Sequence, residues 1–155
     1  ASVNGATRSM GVALTSCTVP AVGKPTFEIA SDEMEVGVGI HGEPGRRRVA
    51  LMHANEIAEE LIHAIVQDLD PRLGSAVLLM VNGLGATPSL ALHVMYDAAS
   101  RQLATRGLQV RRSLVGNYVT SLDMAGCSVT VLAADDEILR LWDAPVSTPG
   151  LRWGM

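Results

Sequence analysis

Alternation of apolar and polar positions along the chain predicts β-strands. Met34, Val36, Val38 and Ile40 alternate with glutamate and glycine, which is the period-two pattern of a half-buried strand. Residues 76–81 are apolar throughout and are followed by Asn-Gly, as is typical of a central strand covered on both faces. Three further strands are predicted at residues 11–17, 109–115 and 127–133.

A different spacing predicts a helix after the first strands. Ile57, Leu61, Ile65 and Leu69 recur every four residues, so that they share one helical face. The pair Asp70-Pro71 is expected to end this helix.

Two more helices are predicted towards the end of the chain. Thr87 is expected to be the N-cap of the first, Pro88 its first helical residue, and Gly107 its C-terminal cap. The second covers residues 135–142. Because strands come first as a group and then alternate with helices, we expect an α/β (α+β-like) fold. It would be a two-layer domain with a mixed sheet of about five or six strands and helices mainly on one face.

Length and charge narrow the class of protein. The 155 residues suffice for one domain with a buried core, and 12 basic against 16 acidic residues give a formal net charge of −4. Such a balance favours neither nucleic-acid nor membrane binding. No apolar run approaches the roughly 20 residues of a membrane span. Cys17 and Cys127 lie far apart in apolar stretches, which predicts reduced, buried thiols and a cytoplasmic location.

The segment 37–45 is the first candidate for chemistry. It places His41 between glycines, which leave the imidazole open, and it is followed by three arginines, 46–48. A histidine at such a strand end can act as a general base, a metal ligand or a nucleophile. A turn histidine that bonds only nearby backbone remains an equal alternative. We expect the arginines to form a solvated turn rather than a phosphate clamp.

Two other segments combine glycine with polar residues. Residues 81–88 run from a strand through glycines to a helix start, where free N–H groups can bind an anion, but the spacing is not that of a nucleotide motif. Residues 116–126 are dense in polar groups that either line a pocket or only cap turns. His53, His63 and His93 form no pair with metal-ligand spacing, and we expect them to be structural or exposed.

Taken together, these segments resemble the K subunit of dihydroxyacetone kinases, of the type that works with a separate nucleotide-carrying subunit. The resemblance is carried by Gly-Ile-His-Gly-Glu-Pro-Gly at 39–45, Val-Asn-Gly-Leu-Gly at 81–85, Val-Gly-Asn-Tyr at 115–118, Thr-Ser-Leu-Asp-Met-Ala-Gly at 120–126 and Leu-Trp-Asp-Ala-Pro-Val at 141–146.

The resemblance implies a site and a reaction. In that family the ketose lies between two α/β domains, and the matching histidine, His41, adds through Nε2 to the C2 carbonyl of dihydroxyacetone to form a covalent hemiaminal. Gly39 and Gly42 would be neighbours of the substrate in the same segment. Only the second domain is matched, so we expect residues 1–155 to be the C-terminal domain. The N-terminal domain, which carries the acid/base groups, would be absent from this chain, and the chain alone would be inactive.

The resemblance also implies partners and cofactors. A partner L subunit would carry ADP or ATP with magnesium, whereas this chain would bind no cofactor and no metal. A phosphoenolpyruvate-linked phosphotransferase system is the expected phosphoryl source, glycerol metabolism the expected context, and a homodimer the expected assembly. A kinase for a four-carbon ketose such as erythrulose, a non-catalytic ketose-sensing coactivator, and a fragment that folds without binding anything remain the alternatives.

Overall fold

The computed structural model of the chain describes residues 3–40, 43, 45–70 and 74–154. Helices in these ranges are α1 Val3–Ala6, α2 Ala54–Asp68, α3 Ser89–Thr105 and α4 Asp136–Trp142. Strands are β1 Thr7–Ala13, β2 Glu33–Val36, β3 Arg47–Ala50, β4 Ala76–Gly83, β5 Gln109–Gly116, β6 Gly126–Ala133, β7 Val146–Ser147 and β8 Arg152–Trp153.

Within the described residues, six of the strands form one mixed sheet in the order β3-β2-β1-β6-β4-β5. All neighbours pair antiparallel except β4 and β5, which are parallel and are connected through α3. The remaining pair, β7 and β8, forms a separate two-stranded ladder. The predicted α/β fold with a mixed sheet is therefore confirmed.

The core lies between the sheet and the helices α2 and α3. Alternate residues of β4 and β6, such as Val77, Leu79 and Val129, point to this side and are fully buried. The predicted helix face meets them, with Leu61 and Ile65 buried in the same cluster. Because side chains alternate along a strand, the intervening residues point to the opposite face of the sheet.

That opposite face, which we call the open face, is covered by a helix at one end. There α4 packs Ile138 against Leu78 and Ala134. Further along the same strands the residues are polar: Ser9 of β1 lies opposite Thr130 of β6, and their hydroxyls are 2.9 Å apart. The helices thus lie mainly on one side of the sheet, as predicted.

Several element boundaries differ from the sequence-based prediction. The strand predicted at 34–40 ends at Val36, because Gly37 adopts a positive φ of 82° and turns the chain away. The strand expected at 11–17 is β1, which instead begins at Thr7. The arginine run is not only a turn, since Arg47 and Arg48 open β3 and pair with β2.

The helix ends also require one correction. Thr87 is not the N-cap of α3; Pro88 holds that position, and the Thr87 hydroxyl bonds the backbone of Gly126 instead. Gly107, with φ of 76°, follows the C-cap as expected. Cys17 and Cys127 are free and buried, as predicted. In the described ranges no helix has the length and apolarity needed to cross a membrane.

Candidate functional site

Both ends of the segment 37–45 are fixed to the sheet. The Gly37 N–H donates to the Gly11 carbonyl (2.7 Å), and the Arg46 N–H donates to the Val36 carbonyl (2.7 Å). Near the second end, the Glu35 carboxylate accepts a hydrogen bond from the Gly45 N–H at 2.7 Å. The chain therefore leaves β2 and returns to β3 between two anchored points.

The other two candidate segments contact each other directly. The Ser121 N–H donates to the Leu84 carbonyl (2.6 Å), and the Ala86 N–H donates to the Met124 carbonyl (3.1 Å). At Gly85, with φ of 134°, an added Cβ would overlap a carbonyl oxygen of the other segment. Gly85 hence serves the close packing of the two backbones.

All three segments meet at a depression of about 440 Å³ on the open face. The depression is bounded on the β2 side by residues 37–40 and on the β4 side by Asn82 and Val119. We call it the sheet depression. Its described lining is Ser9, Met10, Gly11, Gly37, Val38, Gly39, Ile40, Arg46, Met80, Asn82, Val119, Ser128 and Thr130.

The lining suits a small polar molecule. Ser9, Ser128 and Thr130 present hydroxyl groups that can donate or accept hydrogen bonds. Met80 adds an apolar patch to the floor, and among the described lining residues only Arg46 carries a charge. A neutral compound with several hydroxyl groups fits this mixture better than a dianion does, because a phosphate-sized charge is normally met by several cations or a row of N–H groups.

Of the predicted site residues, Gly39 lines the sheet depression, and its N–H points to the Glu43 carbonyl at 3.5 Å. His41 and Gly42 lie outside the described residues, so their assigned roles stay predictions. The hydroxyl residues of β1 and β6 were not predicted. The alternation of Ser128 and Thr130 with buried Cys127, Val129 and Val131 is the signal that could have found them.

Within segment 116–126, the side chain of Asp123 reaches the chain that follows β1. Asp123 accepts the Thr18 N–H at 2.7 Å, and this hydrogen bond lowers the pKa of its carboxyl group. His53, His63 and His93 are exposed on or beside helices α2 and α3, as expected. In the part of the chain that the structure describes, no group of three or more histidine, cysteine, aspartate or glutamate residues is placed to hold a metal ion.

Comparison with known proteins matches the chain to one domain family and to kinases that act on small ketoses. The model of the Dak1 domain matches residues 1–150. The dihydroxyacetone-binding subunit DhaK of the PEP-dependent dihydroxyacetone kinase from Escherichia coli K12 is 41% identical, over 98% of this chain and 49% of the relative. L-erythrulose 1-kinase from Mycolicibacterium smegmatis is 44% identical, over 97% of this chain and 27% of that protein.

A solved structure shares the fold closely. The dihydroxyacetone kinase operon co-activator DhaQ superposes with a TM-score of 0.86 at 33% identity, over 93% of this chain and 45% of the other. The chain thus spans about half or less of the length of these relatives.

Proposed function

Since the chain belongs to the Dak1 domain family, we propose that it is the ketose-binding domain of a dihydroxyacetone (glycerone) kinase, with His41 as the covalent anchor. The sheet depression carries this proposal. Residues 37–40 line it and lead directly to His41 along the chain. A hydroxyl-lined recess in which Arg46 is the one charged residue of the described lining suits a short polyhydroxy ketone.

The proposed bond is an addition without a leaving group. The Nε2 lone pair of neutral His41 attacks the electrophilic C2 of the ketose, and the carbonyl π electrons move to the oxygen. That oxygen takes a proton, and the ring loses its Nδ1 proton to solvent. The adduct therefore keeps every atom of the ketose, whereas a lysine Schiff base would release water. Glycerol has no carbonyl group and should form no adduct, which gives selectivity that hydrogen bonds alone supply poorly.

The covalent bond would hold the terminal hydroxyl ready for phosphoryl transfer. Fixing the acceptor in position turns a bimolecular step into one between oriented groups. The phosphoryl donor, a nucleotide with magnesium, would be carried by a separate subunit. A preceding K domain, a homodimeric assembly and a cytoplasmic setting belong to the same proposal. The relatives named DhaK are dihydroxyacetone-binding subunits, which supports its ketose-binding part.

Intact-mass spectrometry under non-denaturing conditions tests the anchor. The full-length protein, as its gene encodes it, should gain the whole mass of dihydroxyacetone and nothing with glycerol. His41→Ala should abolish the gain. His93→Ala is the matched control, since His93 is exposed on α3 and its ring Nδ1 is hydrogen-bonded to the Ser89 carbonyl of the same helix (2.8 Å). An adduct that survives in His41→Ala would refute the covalent role.

The pH dependence of adduct formation is a second test of the proposed bond to His41. Only unprotonated imidazole is nucleophilic, and the pKa of an unperturbed histidine is about 6.5. The adduct fraction at limiting ketose should therefore fall as the pH drops below this value. A constant fraction between mildly acidic and neutral pH would contradict a histidine nucleophile.

A ketose-sensing role is the second candidate, because the co-activator superposes closely. Both roles require the adduct, so phosphoryl transfer separates them. Supplying a nucleotide-carrying L subunit should yield ketose phosphate if the protein is a kinase. Adduct formation without any product would favour the sensor. Because one relative is an erythrulose kinase, the preferred ketose has either three or four carbons. Competition between dihydroxyacetone and erythrulose for adduct formation distinguishes the two.

A further inference from the structure

The side-chain amide of Asn82 is buried at the end of β4 and fully used. The residue is 2% exposed. Its Oδ1 accepts the backbone N–H groups of Tyr118 (2.8 Å) and Val119 (2.9 Å), and its Nδ2 donates to the Val119 carbonyl (2.8 Å). A longer contact joins Nδ2 to the Ser128 hydroxyl at 3.4 Å. One side chain therefore clamps both backbone polar groups of Val119.

The clamped residues lie beyond the last strand of the sheet. β5 ends at Gly116, and the next residues, up to Val119, are bonded to β4 through Asn82 rather than through a ladder. The segment also lies close against β4, because a Cβ added at Gly83 would overlap the Asn117 side-chain oxygen. The position of Val119 thus depends on a side chain that is 37 residues away in the sequence.

Val119 is the part of this segment that lines the sheet depression. In the strand order, residues 37–40 bound the depression on the β2 side, and β1 and β6 lie between them and Val119. An apolar residue in place of Asn82 could fill the space, but it would leave two N–H groups and one carbonyl without their partner. Unpaired backbone groups would then pull this wall towards solvent.

We propose that Asn82 is a positioning residue: its amide sets the wall of the sheet depression formed by Val119 and so tunes the affinity for the ketose. This inference rests on the proposed function, because it takes the sheet depression to be the site of the ketose. This polar residue near the end of β4 thus acts on the ligand through the backbone of Val119.

The test compares Asn82→Leu with Thr87→Val in the full-length protein. Thr87 is a matched control, because its hydroxyl also bonds a backbone N–H and carbonyl, those of Gly126 at 2.8 and 2.6 Å, but does not line the sheet depression. Both variants should lower the melting temperature. Only Asn82→Leu should raise the dihydroxyacetone concentration for half-maximal adduct, by about tenfold, the equivalent of one well-formed hydrogen bond. Asn82→Asp keeps both acceptor contacts and should recover part of the affinity.

Hydrogen–deuterium exchange at the Tyr118 and Val119 amides shows whether the clamp has opened. Faster exchange with an unchanged half-saturating concentration would overturn the proposal, as would an equal loss of affinity in Thr87→Val. If Asn82→Leu does not fold, Asn82→Asp decides. A half-saturating dihydroxyacetone concentration at least about threefold above that of the wild type supports the role, and a smaller change overturns it. A wild-type protein that forms no adduct refutes the proposed function and this inference together, and it does so before any substitution is made.

Discussion

Glu35 is expected to hold the segment that carries His41 in place. Its side chain on β2 is only 13% exposed. One carboxylate oxygen accepts the Gly45 N–H at 2.7 Å, and the other accepts Arg48 Nη2 at 3.1 Å. The contact with Gly45 is tight, since a Cβ added there would lie 2.5 Å from Glu35 Cγ. Glu35→Ala removes this anchor and keeps the backbone of β2 unchanged.

The structure sets the size of the effect. A hydrogen bond from a backbone N–H to a carboxylate contributes about 1.5–3 kcal/mol. The ion pair adds at most about 1 kcal/mol, because the Arg48 side chain is 41% exposed and water screens the pair. We therefore expect a local loss of about 2–3 kcal/mol. If half of it falls on the ordered conformation of the segment, the half-saturating ketose concentration rises about tenfold.

Adduct titration by intact mass measures the change in half-saturating ketose concentration, and urea unfolding measures the change in global stability, so the two effects can be separated. Glu33→Ala is the matched control on the same strand. Its carboxylate is 4.0 Å from Arg48 and accepts a long bond from Ala30, with a side chain that is 39% exposed. It should shift the half-saturating concentration by less than about twofold. Equal shifts in the two variants would refute the role of Glu35. Glu35→Gln keeps an acceptor for Gly45 and should lie between wild type and Glu35→Ala.

Other predictions concern the thiol, the backbone and the C-terminal ion pair. Burial raises the pKa of the Cys127 thiol to about 12, so alkylation of this site near pH 8, followed by peptide mass mapping, should require unfolding; rapid modification of folded protein would contradict this. Gly85→Ala should destabilise the fold by about 2–4 kcal/mol in urea, because φ is 134° and the new Cβ meets a backbone carbonyl oxygen. Gly74→Ala, with φ of 87° and open space around it, should cost clearly less. Hydrogen bonds from Arg112 lower the pKa of Asp143. A carboxyl with a lower pKa in the folded state stabilises the protein above its unfolded pKa of about 3.9, and this contribution is lost as the pH falls through the folded pKa. Asp143→Asn should therefore flatten the fall in stability below about pH 4, and an unchanged profile would show that the pair contributes nothing.

Hydrophobic patterning correctly predicted a strand that is apolar throughout and a helix that buries one apolar face. The run at 76–81 became part of β4, and the four-residue spacing from Ile57 to Ile65 became part of α2, with Leu69 as its C-cap. The pattern failed where backbone geometry overrode it. Val38 and Ile40 continue the alternation of β2, yet the positive φ of Gly37 ends the strand before them. Glycine permits both a strand and a turn, so the pattern alone could not decide.

The edge strand β3 shows another limit. Arg47 and Arg48 predict solvent exposure correctly, since both are exposed. Exposure does not exclude a strand, because charged residues are common at sheet edges, where they discourage pairing with other chains. The partner that makes β3 a strand is β2, in the register Met34 with Val49. This register is a pairing between two separate segments, which local composition does not encode.

One part of the candidate site could be predicted from the sequence, because its features are local, and the other part could not. Segment 37–45 draws attention by its glycines and its single histidine, which are local features. The hydroxyl wall is not local: Ser9 and Thr130 are 121 residues apart and meet because β1 pairs with β6. Asn82 reaches Val119 only because β4 and β5 are neighbours in the sheet. Topology assembled these groups, and topology could be predicted only as a class of fold.

The shape of the sheet depression explains why a covalent anchor would be needed. A three-carbon ketose has about six non-hydrogen atoms, and even the best small ligands gain no more than about 1.5 kcal/mol per atom, so non-covalent binding is limited to about 9 kcal/mol and usually falls well short. A recess open to one side, with a few hydroxyls and Met80, reaches only part of that limit. If the bond to His41 supplies most of the affinity, the walls set by Glu35 and Asn82 only tune it. Substitutions at the walls should then weaken binding by about tenfold each, whereas loss of His41 should abolish it, and this difference in scale separates an anchor from its supports.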